Sequence, residues 1–515
     1  MMEKILAITE DYLYIPVCAD KEDRRMEIYL EEEGLLKKLH EFMVPIDQTE
    51  TFACNYYAEI PVKELKGRQV RIQADMPVSY ADRIYNGKKQ AEPELERPLI
   101  HFAAHTGWTN DPNGLVYADG VYHLYFQYNP FGLVWNNMTW GHAVSRDLLH
   151  WSQEDSVMFP DESGVMFSGC GLNNERGLLD LPKDALLFFY TAAGGGNEWS
   201  KNLEFTQKIA YSLDGGSTLV KMKEPCLPTL AKENRDPKVF WHEASKAYVM
   251  SLFMKDNDFA IFRSQDLIHW EQSDSFTLQD AWECPDLLFL TSEEGETCWF
   301  FWSADGFYYQ GDFDGYRFRT DGVKHYAYVN RIAYAAQSYS GVKDRVISIP
   351  WLRLPNDGRN FTGAYGIPVE LSCKKTPEGF ALLQKPVREL KEHAKKMESS
   401  ALERADGQIV YRNMGDKKAV LIEMHMEDTM QKTYTWKVNK SLVEYTPKSG
   451  IFTVDGESWQ TCTGCREFMF LLDDRILEVF FDGGAQTGTF ALREKDMVFE
   501  TTRETVLDYA VYEMV

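Results

Sequence analysis

The sequence predicts an all-β protein, and three observations carry that expectation. Helical periodicity is scarce: only Leu35–Phe42 (LLKKLHEF) and Pro386–Lys396 (PVRELKEHAKK) suggest short helices. Elsewhere, short aromatic and β-branched runs are broken by Gly, Asp, Asn and Pro, the pattern of strands joined by tight turns. Third, a turn recurs. Ser145-Arg-Asp-Leu-Leu-His-Trp151 returns as Ser264-Gln-Asp-Leu-Ile-His-Trp270 with two differences, and Ser212-Leu-Asp214 lies between them. The three serines are 67 and 52 residues apart. A strand–turn–strand unit at this spacing is what the blades of a β-propeller produce.

Taken in order, residues 1–97 form a small β module and linker. Met26-Glu-Ile-Tyr-Leu30 and Gln69-Val-Arg-Ile-Gln73 alternate, the charged stretch Glu31–Lys38 reads as a solvated face, and Asn86–Pro98 has linker composition. Residues 98–390 contain the recurring turns and are read as the propeller. Residues 391–515 return to alternation, as in Ile476-Leu-Glu-Val-Phe-Phe481, and are read as a β-sandwich.

Composition excludes some functions. A net charge of −24, from 55 basic and 79 acidic residues, repels phosphate backbones, so no nucleic-acid partner is expected. The N-terminus has one lysine before a few apolar residues and then Glu10 and Asp11, which is not a secretory pattern. No run of about 18 apolar residues occurs, so no membrane partner is expected and a cytoplasmic location is. Nine scattered cysteines read as free thiols, Cys462-x-x-Cys465 included, since no further zinc ligands lie nearby. His105, His123 and His142 read as hydrogen-bonded core or rim residues. None of these histidines or cysteines is read as a metal ligand.

Three acidic motifs stand out: Trp108-Thr-Asn-Asp-Pro-Asn-Gly114, Arg235-Asp-Pro237 and Trp282-Glu-Cys-Pro-Asp286. Each sets a carboxylate near a proline, which places the acids where strands begin. Asp111, Asp236 and Glu283 are 125 and 47 residues apart, and inner strands of different blades bring such positions to one channel. A retaining glycosidase needs one carboxyl to attack the anomeric carbon and one to protonate the leaving oxygen. Asn110 is a candidate donor to an ionised nucleophile. Burial beside Trp282 and repulsion between the acids would keep Glu283 protonated. Arg235 would hold a carboxylate or a sugar hydroxyl. The bland reading is that Asp-Pro and Asn-Gly segments simply make turns.

These motifs, in this order, resemble glycoside hydrolase family 32, the invertase, levanase and inulinase family. WTNDPNG resembles the family's WMNDPNG, while RDP and WECPD match. Leu124–Trp140, Phe167-Ser-Gly169, Phe361–Leu371 and Leu471–Phe481 are also similar. The resemblance implies a five-bladed propeller followed by a β-sandwich, with no metal or organic cofactor. It implies Asp111 as nucleophile, Asp236 as transition-state stabiliser and Glu283 as general acid/base. Asn110, Gln127, Trp135, Phe167, Ser168, Arg235, Trp140 and Trp351 would line the pocket for a terminal fructosyl unit. Thr109, Thr139 and Cys170 depart from the family pattern and are expected to alter the pocket wall.

The expected activity is retaining exo-hydrolysis of terminal β-D-fructofuranosyl residues in sucrose, fructooligosaccharides, inulin or levan, the partner being a small sugar or oligosaccharide. Fructosyl transfer, hydrolysis of sucrose 6-phosphate and sugar binding without catalysis are the alternatives. Self-association is left open.

Overall fold

The computed structural model describes residues 1–32, 34–90, 96–412, 419–428 and 432–514. Among them only three four-residue helical turns occur, Val78–Ala81, Glu389–Glu392 and Ser399–Leu402. The rest of the regular structure is β, apart from three short 3-10 turns.

The N-terminal module packs a four-stranded sheet (order Met2–Ala7, Gln69–Ala74, Asp23–Glu32, Leu35–Pro45) over a three-stranded one. Leu35–Phe42 is therefore strand, not helix. The strand bulges at Leu39, because Ile28 pairs with His40 and Tyr29 with Lys38. One extra residue breaks the two-residue alternation and imitates a helical spacing of apolar residues. Asn86 and Gly87, expected in the linker, form a strand with Tyr12 and Leu13. The Asn86 side chain accepts from the backbone of Thr9 and Glu10, at 2.7 Å each. Residues 91–95 of that expected linker lie outside the described residues.

Five antiparallel sheets follow in sequence. They start with the strands Gly107–Ala118, Val165–Asn173, Arg235–His242, Asp286–Thr291 and Ala333–Ser338, and each adds strands outward largely in chain order. Val165–Asn173 lies against both Gly107–Ala118 and Arg235–His242, and Ala333–Ser338 returns to lie against Gly107–Ala118. Phe361–Thr362, from the fifth-sheet region, pairs in parallel with Gly107 and Trp108. A buried lock joins three of the leading strands. Lys238 pairs with Asp286 at 3.2 Å and donates to the Ser338 carbonyl, while Ser338 N–H donates to Asp286.

The recurring turn joins the third and fourth strands of a sheet. In the first sheet the Asp147 carboxylate accepts from the Leu149 and His150 amides and the His150 ring, and Trp151 donates back to Leu148 O. Asp266, His269 and Trp270 repeat those contacts in the third sheet. Leu148 and Leu267 take matching left-handed backbones, φ 65° and 69°.

Two six-stranded sheets close the chain and bury Trp436, Tyr445, Phe468, Phe470 and Phe481 between them. Pro386–Lys396 is not a continuous helix. It holds one turn, after which Ala394–Lys396 pairs with Tyr512–Met514, so strand pairing overrides the local helical preference. The C-terminal sheets are pinned to the central region by His101. Its two ring nitrogens meet Asp473 and Glu478, each at 2.9 Å, with the imidazole fully buried.

Candidate active site

The leading strands of the central sheets carry irregularities where the sequence motifs fall. Register shifts lie between Thr109 and Pro112, Met166 and Gly169, Arg235 and Lys238, and Tyr334 and Gln337. Asn110–Asp111, Phe167–Ser168, Asp236 and Ala335 thus sit in bulges, which turn side chains out of a strand's regular alternation. In the fourth sheet, Glu283 and Cys284 precede the strand and both adopt positive φ, 48° and 41°. Asp236 is also left-handed, at φ 64°. Such backbone costs about 1–3 kcal/mol per residue and persists where surrounding contacts hold it. Gly169 follows Ser168 because a Cβ there would meet the Phe189 carbonyl oxygen at 1.9 Å. The acids were expected at strand starts. Asp111 instead lies inside its strand, since a bulge accommodates Pro112 without ending the ladder.

These segments enclose a cavity of about 290 Å³ lined by Asn110, Asp111, Gln127, Trp135, Phe167, Ser168, Arg235, Asp236, Glu283, Tyr334 and Trp351. Ser168 Oγ donates to Asp111 Oδ2 at 2.5 Å. The Cys284 thiol sits 3.7 Å from Asp111 Oδ2 and 3.6 Å from Asp236 Oδ2, so one sulfur spans two carboxylates. Cys284 N–H also donates to Asp236. Glu283 is held at both oxygens. Arg235 donates to Oε1 at 2.7 and 3.2 Å, and Tyr334 OH to Oε2 at 2.6 Å. Arg235 is itself stacked on Phe253, 4.5 Å from the ring centre, and donates to Glu233 O.

Burial raises the Asp111 carboxyl to about 6, the Glu283 charge adds to the rise, and hydrogen bonds from Ser168, Asn110 and Cys284 oppose it. Burial likewise raises Asp236 to about 7. Arg235 pulls it down, and Glu283 and Asp111 push it up. Burial and like charge, expected from the sequence to act on Glu283, raise Asp111 and Asp236.

Trp140 does not belong to the pocket. It is fully buried among Tyr125, Phe188 and Tyr190, and its indole N–H donates to Phe167 O at 3.0 Å. Its strand position faces the packing between sheets, so it supports the wall from behind. Thr109, Thr139 and Cys170 are buried and do not line the cavity either. Cys170, for example, accepts from Val239 N–H. Gln127 reaches the cavity with its amide donating to Met166 O and its carbonyl oxygen buried without a partner. Trp135 is 54% exposed at the rim, edge-on to Phe167. Asn136 and Asn137 fasten its loop to the N-terminal module, through Asp23 and the Met43 backbone. Among the described residues, His123 and His142 contact each other in the core at 3.1 Å.

Three side chains escaped the motif reading: Tyr334, Cys284 and Tyr365, whose hydroxyl donates to Asn110 O at 2.5 Å. Cys284 and Tyr365 lie inside quoted motifs. Tyr334 sits in Arg331-Ile-Ala-Tyr334, which carries no signal of its own.

Carboxyls brought together from three separate sheets, one of them held by an arginine and a tyrosine, can present a nucleophile and a proton donor to one bond. That defines the site as one suited to glycoside cleavage. Residues 101–386 match the family profile "Glycosyl hydrolases family 32 N-terminal domain". The chain belongs to glycoside hydrolase family 32. It is similar to the levanase of Bacillus subtilis (strain 168), 32% identical over 68% of this chain and 56% of that one. It is also similar to an invertase of Debaryomyces hansenii, 35% identical over 50% of this chain and 52% of that one. The chain thus spans little more than half the length of either relative. Exo-inulinase from Aspergillus awamori shares the fold over 83% of this chain and 99% of its own, with a TM-score of 0.70 at 23% identity. A family 32 structure from Bifidobacterium adolescentis aligns over 100% of this chain and 99% of its own, with a TM-score of 0.69 at 18% identity, so the likeness in fold extends to the N-terminal module.

Proposed function

We propose that the protein is a retaining, exo-acting β-fructofuranosidase that releases terminal fructose from sucrose and fructans, and that its five central sheets are the blades of one propeller. The observation that carries the reading is the meeting of Asp111, Asp236 and Glu283 in one cavity, with Arg235 and Tyr334 on Glu283. The relatives' names, levanase and invertase, support fructosides as substrates.

In this mechanism Asp111 attacks the anomeric carbon while Glu283 protonates the departing oxygen. A water then enters, Glu283 removes its proton, and fructose leaves Asp111 with net retention. Asp236 holds sugar hydroxyls and offsets the positive charge that develops on the ring. The buried Gln127 oxygen takes a sugar hydroxyl as its missing partner. Arg235 is the only cation among the described residues lining the pocket, and Glu283 engages it. This favours unphosphorylated sugars over sucrose 6-phosphate. At the covalent stage an acceptor sugar competes with water, so some fructosyl transfer accompanies hydrolysis at high substrate.

The test is sugar release from sucrose, 1-kestose, inulin, levan and sucrose 6-phosphate. Free fructose from the neutral substrates, abolished by Asp111→Ala, supports the reading. No release from any substrate overturns it.

A further inference from the structure

A second cavity, of about 330 Å³, opens between the N-terminal module and the first central sheet. Its volume is comparable to that of the catalytic cavity. Its walls mix tyrosine rings with polar groups of both kinds. Tyr12 and Tyr57 come from the module, and Tyr128 comes from the sheet. Glu59 offers acceptors, Lys89 offers donors, and the Asn55 and Asn360 side chains offer both. Tyr56 also lines this wall, and its hydroxyl is buried with no hydrogen-bond partner, an arrangement that costs free energy unless a partner satisfies it.

The charge and the bonding narrow the ligand. Glu59, Glu154 and Asp155 face one lysine, which repels phosphate and sulfate groups. Asp155 is already engaged by the Tyr12 hydroxyl and by Lys89 at 3.1 Å, and the other carboxylates here do not gather with it into a cluster that would hold a metal ion. Aromatic faces flanked by donors and acceptors suit a neutral polyhydroxylated ring. Both cavities also take walls from the same two stretches of chain. Thr106, Tyr128 and Pro130 face this cavity, and Asn110, Asp111, Gln127 and Trp135 face the catalytic one.

We propose that the cavity between the module and the first sheet is a second carbohydrate site, which holds a neutral glycosyl unit of a fructan through Tyr12, Tyr57 and Glu59. The choice of fructan rests on the fructosidase reading above. The site itself rests on the cavity.

The test uses the full chain carrying Tyr57→Ala, and separately Tyr56→Phe, which removes a hydroxyl that makes no bond. Hydrolysis of sucrose and of inulin is compared, beside electrophoresis of the Asp111→Ala chain through gels containing inulin. The expected result for Tyr57→Ala is a rise of about tenfold in KM for inulin, with sucrose kinetics within about twofold and the melting temperature unchanged. Tyr56→Phe raises the inulin KM in the same direction while keeping or raising the melting temperature. Retardation of Asp111→Ala by inulin weakens when Tyr57→Ala is added. Equal effects on sucrose and inulin, or none on either, overturn the second site while leaving the fructosidase reading intact. If the unmodified chain cleaves neither sugar, the fructosidase reading fails, and the gel arm decides the cavity alone. Retardation that is insensitive to Tyr57→Ala then overturns it.

Discussion

Replacing Asp111 by Asn abolishes the nucleophile and should also make the protein more stable, in a manner that depends on pH. The Asp111 carboxyl titrates at an ordinary value of 3.8 in the unfolded chain and at about 6 in the folded one. A raised carboxyl binds its proton more tightly when folded. Stability therefore falls as pH rises from about 4 to about 6, and the penalty is complete above the folded value. The difference of about two pKa units corresponds to about 3 kcal/mol, reduced to about 2 kcal/mol because the pocket mouth admits water. An amide at this position carries no charge and still accepts the Ser168 hydroxyl, so Asp111→Asn escapes the penalty. Calorimetry of both chains from pH 4 to pH 8 should show matching transitions at pH 4. By pH 7.5 the variant should melt about 2–3 °C higher. A variant that melts lower at pH 7.5, or by the same margin at every pH, refutes the argument. Activity is checked in the same preparation and should fall at least about a thousandfold.

Further outcomes follow from the same geometry. Tyr334→Phe removes the hydroxyl bond to Glu283 Oε2 and should lower kcat about tenfold with little change in KM, shifting the pH–rate profile. Trp140→Ala should cost about 3–5 kcal/mol of stability because it empties a packed core, whereas Trp135→Ala should leave the melting temperature alone and raise KM. His101 is raised to about 9 by its bonds to Asp473 and Glu478, which outweigh its burial. The raised histidine contributes stability that is complete below about 6.5 and lost as pH passes about 9, by at most about 3 kcal/mol, readable in the melting temperature between those values. His101→Ala leaves two buried carboxylates without their cation and should lower stability by about 3–5 kcal/mol at pH 7.

Much of this molecule is local in origin and was therefore legible. The Ser-x-Asp turns close through bonds spanning two to four residues, so their recurrence in sequence is their recurrence in space. The acids and their flanking Asn110, Ser168 and Arg235 announced themselves because proline, glycine and bulge geometry restrict residue type within a few positions. Where a short signal had two structural solutions, long-range pairing chose. Leu35–Phe42 reads as a helix because a bulge at Leu39 disturbs the alternation, and only its partner strand Asp23–Glu32 reveals it as strand.

What tertiary structure decided lies between segments distant in the chain. Whether a tryptophan lines a pocket or supports it from behind depends on the sheet packed against it, which separated Trp140 from Trp135 and Trp351. Tyr334, 51 residues from Glu283, becomes its hydroxyl partner only through the arrangement of the leading strands. Cys284 comes to span Asp111 and Asp236 in the same way. The pKa displacements follow the same division, because burial and neighbouring charge are properties of the assembled site. Residue type and spacing determined which groups could react, and packing across the sheets determined how each is held, charged and reached.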